Sequence, residues 1–282
     1  MKKYFLKTAA FAGLTALTAF APRTSTQKLL LEQTSVPQPN ICFQHGEELT
    51  YKLYYNLNFV WVPAGEVTFR VTDDDTKFKI AAVGRSYASY DWFFKVRDNY
   101  YTDLDKTTML PIRSVREIVE GGYRLYDAVT YDQKNKVAHY ERGNSKDDIE
   151  TKGKLNLAGS MHDIISAIYY TRTMNFATMS AGQTFPVKIL LDENTYPLNV
   201  KYLGTEIKTI KDLGKYNTMK FSPQVVSGTV FKEGSQMKVY ATNDANKLPL
   251  LIESPVSVGA VKAVLKSYKG LKYEMTAKQP NK

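Results

Sequence analysis

From Glu47 onward, apolar and polar positions alternate. Leu49, Tyr51, Leu53, Tyr55 and Leu57 interleave with Thr50, Lys52, Tyr54 and Asn56. That is the period of a strand with one buried face. Similar stretches predict strands at Val67–Val71, Phe78–Ala82, Pro111–Glu120, Tyr123–Tyr131, Val137–Arg142, Phe185–Leu191 and Tyr196–Leu203. Shorter ones follow at Glu206–Ile210, Met219–Pro223, Thr229–Phe231, Met237–Thr242, Leu250–Glu253 and Val261–Tyr268. Turn-forming residues separate them: Asp73-Asp74-Asp75, Gly121-Gly122, Asp132–Lys136, Asp192–Thr195 and Asn243–Asn246.

One stretch breaks this pattern. In Gly159–Met174, Met161, Ile165, Ile168 and Tyr169 fall at helical spacing, and Ile164 widens the apolar stripe. Ser160 followed by Asp163 reads as a capping-box-like start. Such a stripe must lie on something, and the rest of the chain offers only a sheet. The expected fold is mainly β: a curved antiparallel sheet, barrel- or sandwich-like, with one principal helix packed on it. Two segments fit neither period. Trp61–Gly65 reads as a turn or bulge, and the aromatic run Tyr87–Tyr101 as a short helix or irregular crossing that leads into a strand.

The first residues do not belong to this pattern. Lys2, Lys3 and Lys7 precede an apolar run of small residues, TAAFAGLTALTAFA. That run suits a secretory signal and is too short to span a bilayer. The expected organisation is a signal peptide over 1–21, a linker over 22–42 and a single β-rich domain over 43–282. The protein is expected to be periplasmic or otherwise exported, with no transmembrane segment once the signal is cleaved. The lone cysteine, Cys42, leaves no intramolecular disulfide, so the core must supply the stability. Net charge is +10, and from Lys201 onward fourteen lysines face six acids. A basic face suits acidic lipid or anionic polysaccharide, and equally serves to keep strand edges soluble. Nucleic acid is not an expected partner of an exported chain without a binding motif.

The chemistry-bearing residues are sparse. His45, His139 and His162 are too scattered for a zinc site, no cofactor motif occurs, and no Gly-x-Ser-x-Gly elbow is present. His162 and Ser166 are spaced to touch on a helix, but neither an orienting acid nor an oxyanion site accompanies them. Asp163 and Arg172 fit capping and the helix dipole. Glu47, Glu48, Glu66, Glu117 and Glu206 are the carboxylates to examine for glycan chemistry, and nothing in the sequence pairs them. No catalytic residue and no metal ligand is assigned, and an enzyme is the less favoured reading.

Several fragments nevertheless form a pattern. They are Gly46-Glu47-x-Leu49-x-Tyr51, Ala64-Gly65, the helix run Asp163–Tyr170 with Arg172, then Gly204-x-Glu206, Gly214, Asp244, Leu248-Pro249 and Gly259. In that order they resemble the exported family called domain of unknown function 3108. The resemblance implies an exported, β-rich envelope protein and carries no reaction, cofactor or catalytic residue.

Three functional readings follow. The first is a non-catalytic envelope protein that binds an apolar or lipid-like ligand between sheet and helix. Its candidate contacts are Trp61, Tyr90, Trp92, Phe93, Ile164, Ile168 and Tyr169. The rings among these either fill the core or rim an opening, and Lys262 and Lys266 could then meet an anionic head group. The second is a structural or assembly component that docks an envelope protein partner. The third is an enzyme acting on envelope glycans.

Overall fold

The computed structural model describes residues 40–57, 60–223, 236–256 and 259–280. The expected signal, most of the expected linker and the strand expected at Thr229–Phe231 lie outside these residues. Eight strands come first: β1 (Glu48–Leu57), β2 (Val60–Asp73), β3 (Lys77–Ser86), β4 (Arg97–Asp105), β5 (Pro111–Glu120), β6 (Tyr123–Asp132), β7 (Val137–Ser145) and β8 (Asp148–Asn156). Helix α1 (Ile164–Thr173) follows. Six more strands follow among the described residues: β9 (Thr184–Leu191), β10 (Asn194–Ile210), β11 (Gly214–Pro223), β12 (Lys238–Thr242), β13 (Pro249–Pro255) and β14 (Ala260–Lys269).

All fourteen strands form one antiparallel sheet in the order β8-β7-β6-β5-β4-β3-β2-β1-β14-β13-β12-β11-β10-β9. Each half is a meander of hairpin neighbours. The halves join where β1 pairs β14, with Leu49 opposite Tyr268 and Tyr55 opposite Val261. The sheet curls until its two edges approach. The segment between β8 and α1 fills the gap: His162 forms a parallel bridge to Ile189 of β9, and Leu157 and Met161 pack with Val129, Tyr131, Ala138 and Leu190.

The concave face is packed by the protein itself. Leu49, Tyr51, Val71, Ile80, Leu104, Leu250 and Leu265 supply the sheet side, and Ile165 and Tyr169 the helix side. Phe43 fits edge-on against both Phe78 and Tyr169, at 4.9 and 4.8 Å between centroids. Burying a side chain of this size contributes about 1.5–3 kcal/mol. A second cluster under the end of α1 gathers Phe176, Phe185, Tyr202 and Phe221.

Several local expectations need correction. The helix begins at Ile164, and its capping box is Asp163 with Ser166: the Asp163 carboxylate accepts from the Ile165 and Ser166 amides, while the Ser166 hydroxyl accepts from the Asp163 amide. Ser160 has no part in it. His162 therefore precedes the helix, and Ser166 is bonded to Asp163. Of the turn or bulge expected at Trp61–Gly65, the structure has the bulge: β2 runs through the stretch, and its register against β1 shifts at Ala64, between Leu53 and Tyr54. Glu206 does not open a strand of its own. β10 runs through it, past a register shift at Gly204, whose φ of +92° is costly for any residue with a Cβ. The strand β8 has no counterpart among the expected strands, because DIETKGKLN is a charged edge strand with little apolar signal. Cys42, expected at the end of the linker, is fully buried in the core.

Candidate functional site

Three places gather the residues of interest. At the C-terminal end of α1, Arg172 is 3% exposed and Glu47, just before β1, is wholly buried. The pair is bidentate, at 2.6 and 2.8 Å. Arg172 also donates to the Asn246 carbonyl, and its own carbonyl accepts from the Cys42 thiol at 3.1 Å. Nearby, the Tyr51 hydroxyl donates to the Pro249 carbonyl at 2.9 Å. Burial opposes the guanidinium charge, but Glu47 beside it more than offsets this and holds Arg172 above its ordinary value. Burial also pushes the Cys42 thiol up, away from nucleophilic character. Glu47, Arg172, Cys42 and Tyr51 are each partnered, so the cluster ties the helix to strands distant in sequence.

At the N-terminal end of α1, a cleft lies between the helix start, the inner faces of β4–β6 and the β9–β10 turn. Its interior is about 20 Å³, room for a water molecule. The Thr102 hydroxyl donates to Asp163 Oδ1 at 2.8 Å, while Asp163 Oδ2 and His162 Nδ1 have no hydrogen-bond partner among the described residues. Burial pushes the Asp163 carboxyl up and the His162 ring down to about 4. The His162 ring lies against Tyr170, 4.5 Å between centroids.

The cleft mouth is held by the Asp192-Glu193 turn. Both residues have positive φ, 49° and 63°, a strained conformation for residues with a Cβ. Arg116 donates to Asp192 at 2.6 Å and also binds Asp127, and Arg142 reaches Asp192 at 3.1 Å. Burial works against the Asp192 charge, and Arg116 overrides it, holding the carboxyl below its usual range. These ion pairs fix the turn of one half-sheet onto the other.

The third place is the rim at the β1–β2 and β3–β4 ends. Tyr90 closes a single 3-10 turn, Ala88–Tyr90. Beyond it Trp92 is 84% exposed and Phe93 is 72% exposed, their rings 5.9 Å apart. Trp61 is 37% exposed, with the Lys262 ammonium 4.2 Å from its ring centre. Lys262 and Lys266, expected to be free for an anion, pair with Glu253 at 3.0 Å and Glu66 at 2.7 Å.

The seven candidate ligand contacts thus separate. Trp61, Tyr90, Trp92 and Phe93 belong to the rim. Ile164 lines the cleft, Ile168 is half-buried against the core, and Tyr169 is inside it, beside Phe43 and Arg172. The glycan-type carboxylates are each held by a partner: Glu48 by Arg70, Glu66 by Lys266 and Tyr87, Glu117 by Asn99, Glu206 by Lys220, and Glu47 by Arg172. Among the described residues, no group of three or more His, Cys, Asp or Glu is placed to hold a metal. None of their helices is long and apolar enough to cross a membrane. Nothing in the sequence marks Glu47 and Arg172 as a pair. Both stand in the family-like fragments, and only the fold brings them together.

No curated protein matches the chain. Among solved structures, a β-barrel-like protein of domain of unknown function DUF1849 from Brucella abortus is similar at a TM-score of 0.56 and 8% identity. The match covers 82% of this chain and all of that one. A candidate exported protein with a YmcC-like fold from Bacteroides fragilis matches at TM-score 0.30 and 9% identity, over 82% of this chain and 99% of that one. A candidate lipoprotein from Parabacteroides distasonis matches at 0.31 and 12%, over 83% and 100%. The first of these shows a shared barrel-like fold. A protein family of unknown function, DUF3108, matches residues 50–266, which is most of the chain and runs from within β1 to within β14. The chain belongs to the DUF3108 family.

Proposed function

We propose that this is an exported, non-catalytic protein of the cell envelope that works by docking, presenting its outer surface to another envelope component. The leading positive and apolar run supports export. The observation that carries the docking reading is the occupancy of the concave face. Ile165 and Tyr169 are 2% and 1% exposed, and the cleft beside them is about 20 Å³. Pockets for drug-sized ligands are about 300–1,000 Å³. An apolar ligand between sheet and helix would have to displace a helix anchored by the Glu47–Arg172 pair.

Titration with a fluorescent fatty acid tests this. The expected outcome is no saturable binding. Stoichiometric, saturable binding that weakens in Ile165→Trp, a variant that fills the space further, would restore the carrier reading. Intact mass of the exported protein checks the location: its N-terminus is expected between about Phe20 and Gln27.

A further inference from the structure

We propose that the rim carrying Trp92 and Phe93 seats the protein on an anionic lipid bilayer by shallow aromatic insertion. This names the partner for the docking surface and rests on that reading.

Four large apolar side chains are exposed at one end of neighbouring strands: Val60 at 62%, Trp61 at 37%, Trp92 at 84% and Phe93 at 72%. Their common placement follows from the backbone. The Tyr87 amide donates to the Ala64 carbonyl, which ties the aromatic loop to the start of β2. The Gly121 amide donates to the Lys95 carbonyl, and Val96 bridges Glu120, which ties the same loop to the β5–β6 turn. The loop is also braced from within. Phe93 and Phe94 amides both donate to the Tyr90 carbonyl, the Ser86 hydroxyl donates to Asp91, and Arg97 pairs with Asp91. Two hydrophobic rings are therefore held out in solvent by a supported backbone.

Charge selects the occupant. Asp91, the acid of this loop, is neutralised by Arg97. Lys95 follows the rings in the loop, and Arg124 lies just past the turn to which the loop is tied. Both are exposed, and neither makes an ion pair among the described residues. Aromatic rings flanked by exposed cations match a bilayer interface with acidic head groups. Size points the same way. An aromatic side chain covers about 150–250 Å². A few such rings fall short of the roughly 800 Å² per partner that a stable protein interface takes. A small convex tip of this kind gains by entering a deformable interface.

The two tryptophans of the chain, Trp61 and Trp92, both lie on this rim, so intrinsic fluorescence reports on it directly. The test uses the exported chain with vesicles of phosphatidylcholine alone, or with about 30 mol% phosphatidylglycerol. Flotation with the anionic vesicles and a blue shift of emission are expected, along with quenching by lipids that carry a shallow doxyl group. Trp92→Ser with Phe93→Ser should weaken association roughly tenfold or more, without lowering the melting temperature. Lys95→Glu with Arg124→Glu should remove the preference for anionic vesicles. Three results would overturn the proposal: no flotation with either vesicle, flotation that is unaffected by the ring substitutions, or a concentration-dependent dimer lost in the ring variant without vesicle association. Saturable fatty-acid binding in the interior would instead sink the docking reading and leave the vesicle result to stand by itself.

Discussion

The two ends of α1 carry buried charge in opposite ways. At the C-terminal end, Arg172 has a bidentate carboxylate and a backbone carbonyl, and its charge is satisfied. At the N-terminal end, Asp163 caps the helix with one oxygen while the other has no partner among the described residues, and neutral His162 sits beside it. The first arrangement fixes position: it joins α1 to the approach to β1 and to the β12–β13 turn at once. The second holds the helix start through its cap, the Thr102 hydroxyl and the His162 bridge to β9. One helix is thus locked by an ion pair at one end and held by hydrogen bonds without a countercharge at the other.

The largest effect should come from breaking the locked end. Arg172→Met alone leaves Glu47 buried without its cation, and should cost about 3–5 kcal/mol in chemical denaturation. Glu47→Leu combined with Arg172→Met should regain much of that loss, since the desolvated charges then go together. If the double variant is no better than the single, the pair does more than neutralise itself. At the other end, Asp163→Ala removes the cap and should cost about 1 kcal/mol, read from the same curves. A larger loss at Asp163 than at Arg172 would reverse the comparison.

The smallest effect is a pH dependence. The Asp163 carboxyl is pushed above its ordinary value of 3.8 by burial. Its contribution is therefore present at low pH and lost as pH rises through the folded value. His162 runs the other way, held down to about 4 from 6.5, so its contribution is present above 6.5 and lost as pH falls toward 4. Asp163→Asn keeps a capping oxygen and removes the first contribution. Relative to the parent, the variant should lose more stability on acidification from about pH 7 to about pH 4. Taking the difference removes the background from Asp98, whose carboxyl is pushed up to about 7 by burial and by the Glu120 charge. A difference that does not change with pH would mean that Asp163 keeps an ordinary carboxyl.

Much of the fold was legible in the sequence because alternation survives wherever one strand face meets the core. Leu49, Tyr51 and Val71 announce their strands, and the 3.6-residue period marks α1. β8 was hidden for the same reason in reverse: an edge strand with Lys152 and Lys154 outward has little to bury. The chemistry of the helix ends was less legible. Capping explains Asp163 from sequence alone, but Arg172 looked like a dipole residue because its partner is 125 positions away. The rings of the rim were visible as rings. What sequence leaves open is whether an aromatic residue outside a regular strand period points in or out, and that depends on neighbours such as the turn at Gly121.

The seam between β1 and β14 has a consequence for how the chain is made. Among the described strands every other pairing joins neighbours in sequence, whereas β1 must wait for the last of them. During synthesis, β1–β8 can build their meander early, with the free side of β1 open. An open edge is a template for the wrong chain. Loss of even the final strand would leave two half-sheets facing each other across an unmade join, so the last strand of the sheet decides whether the first is safe.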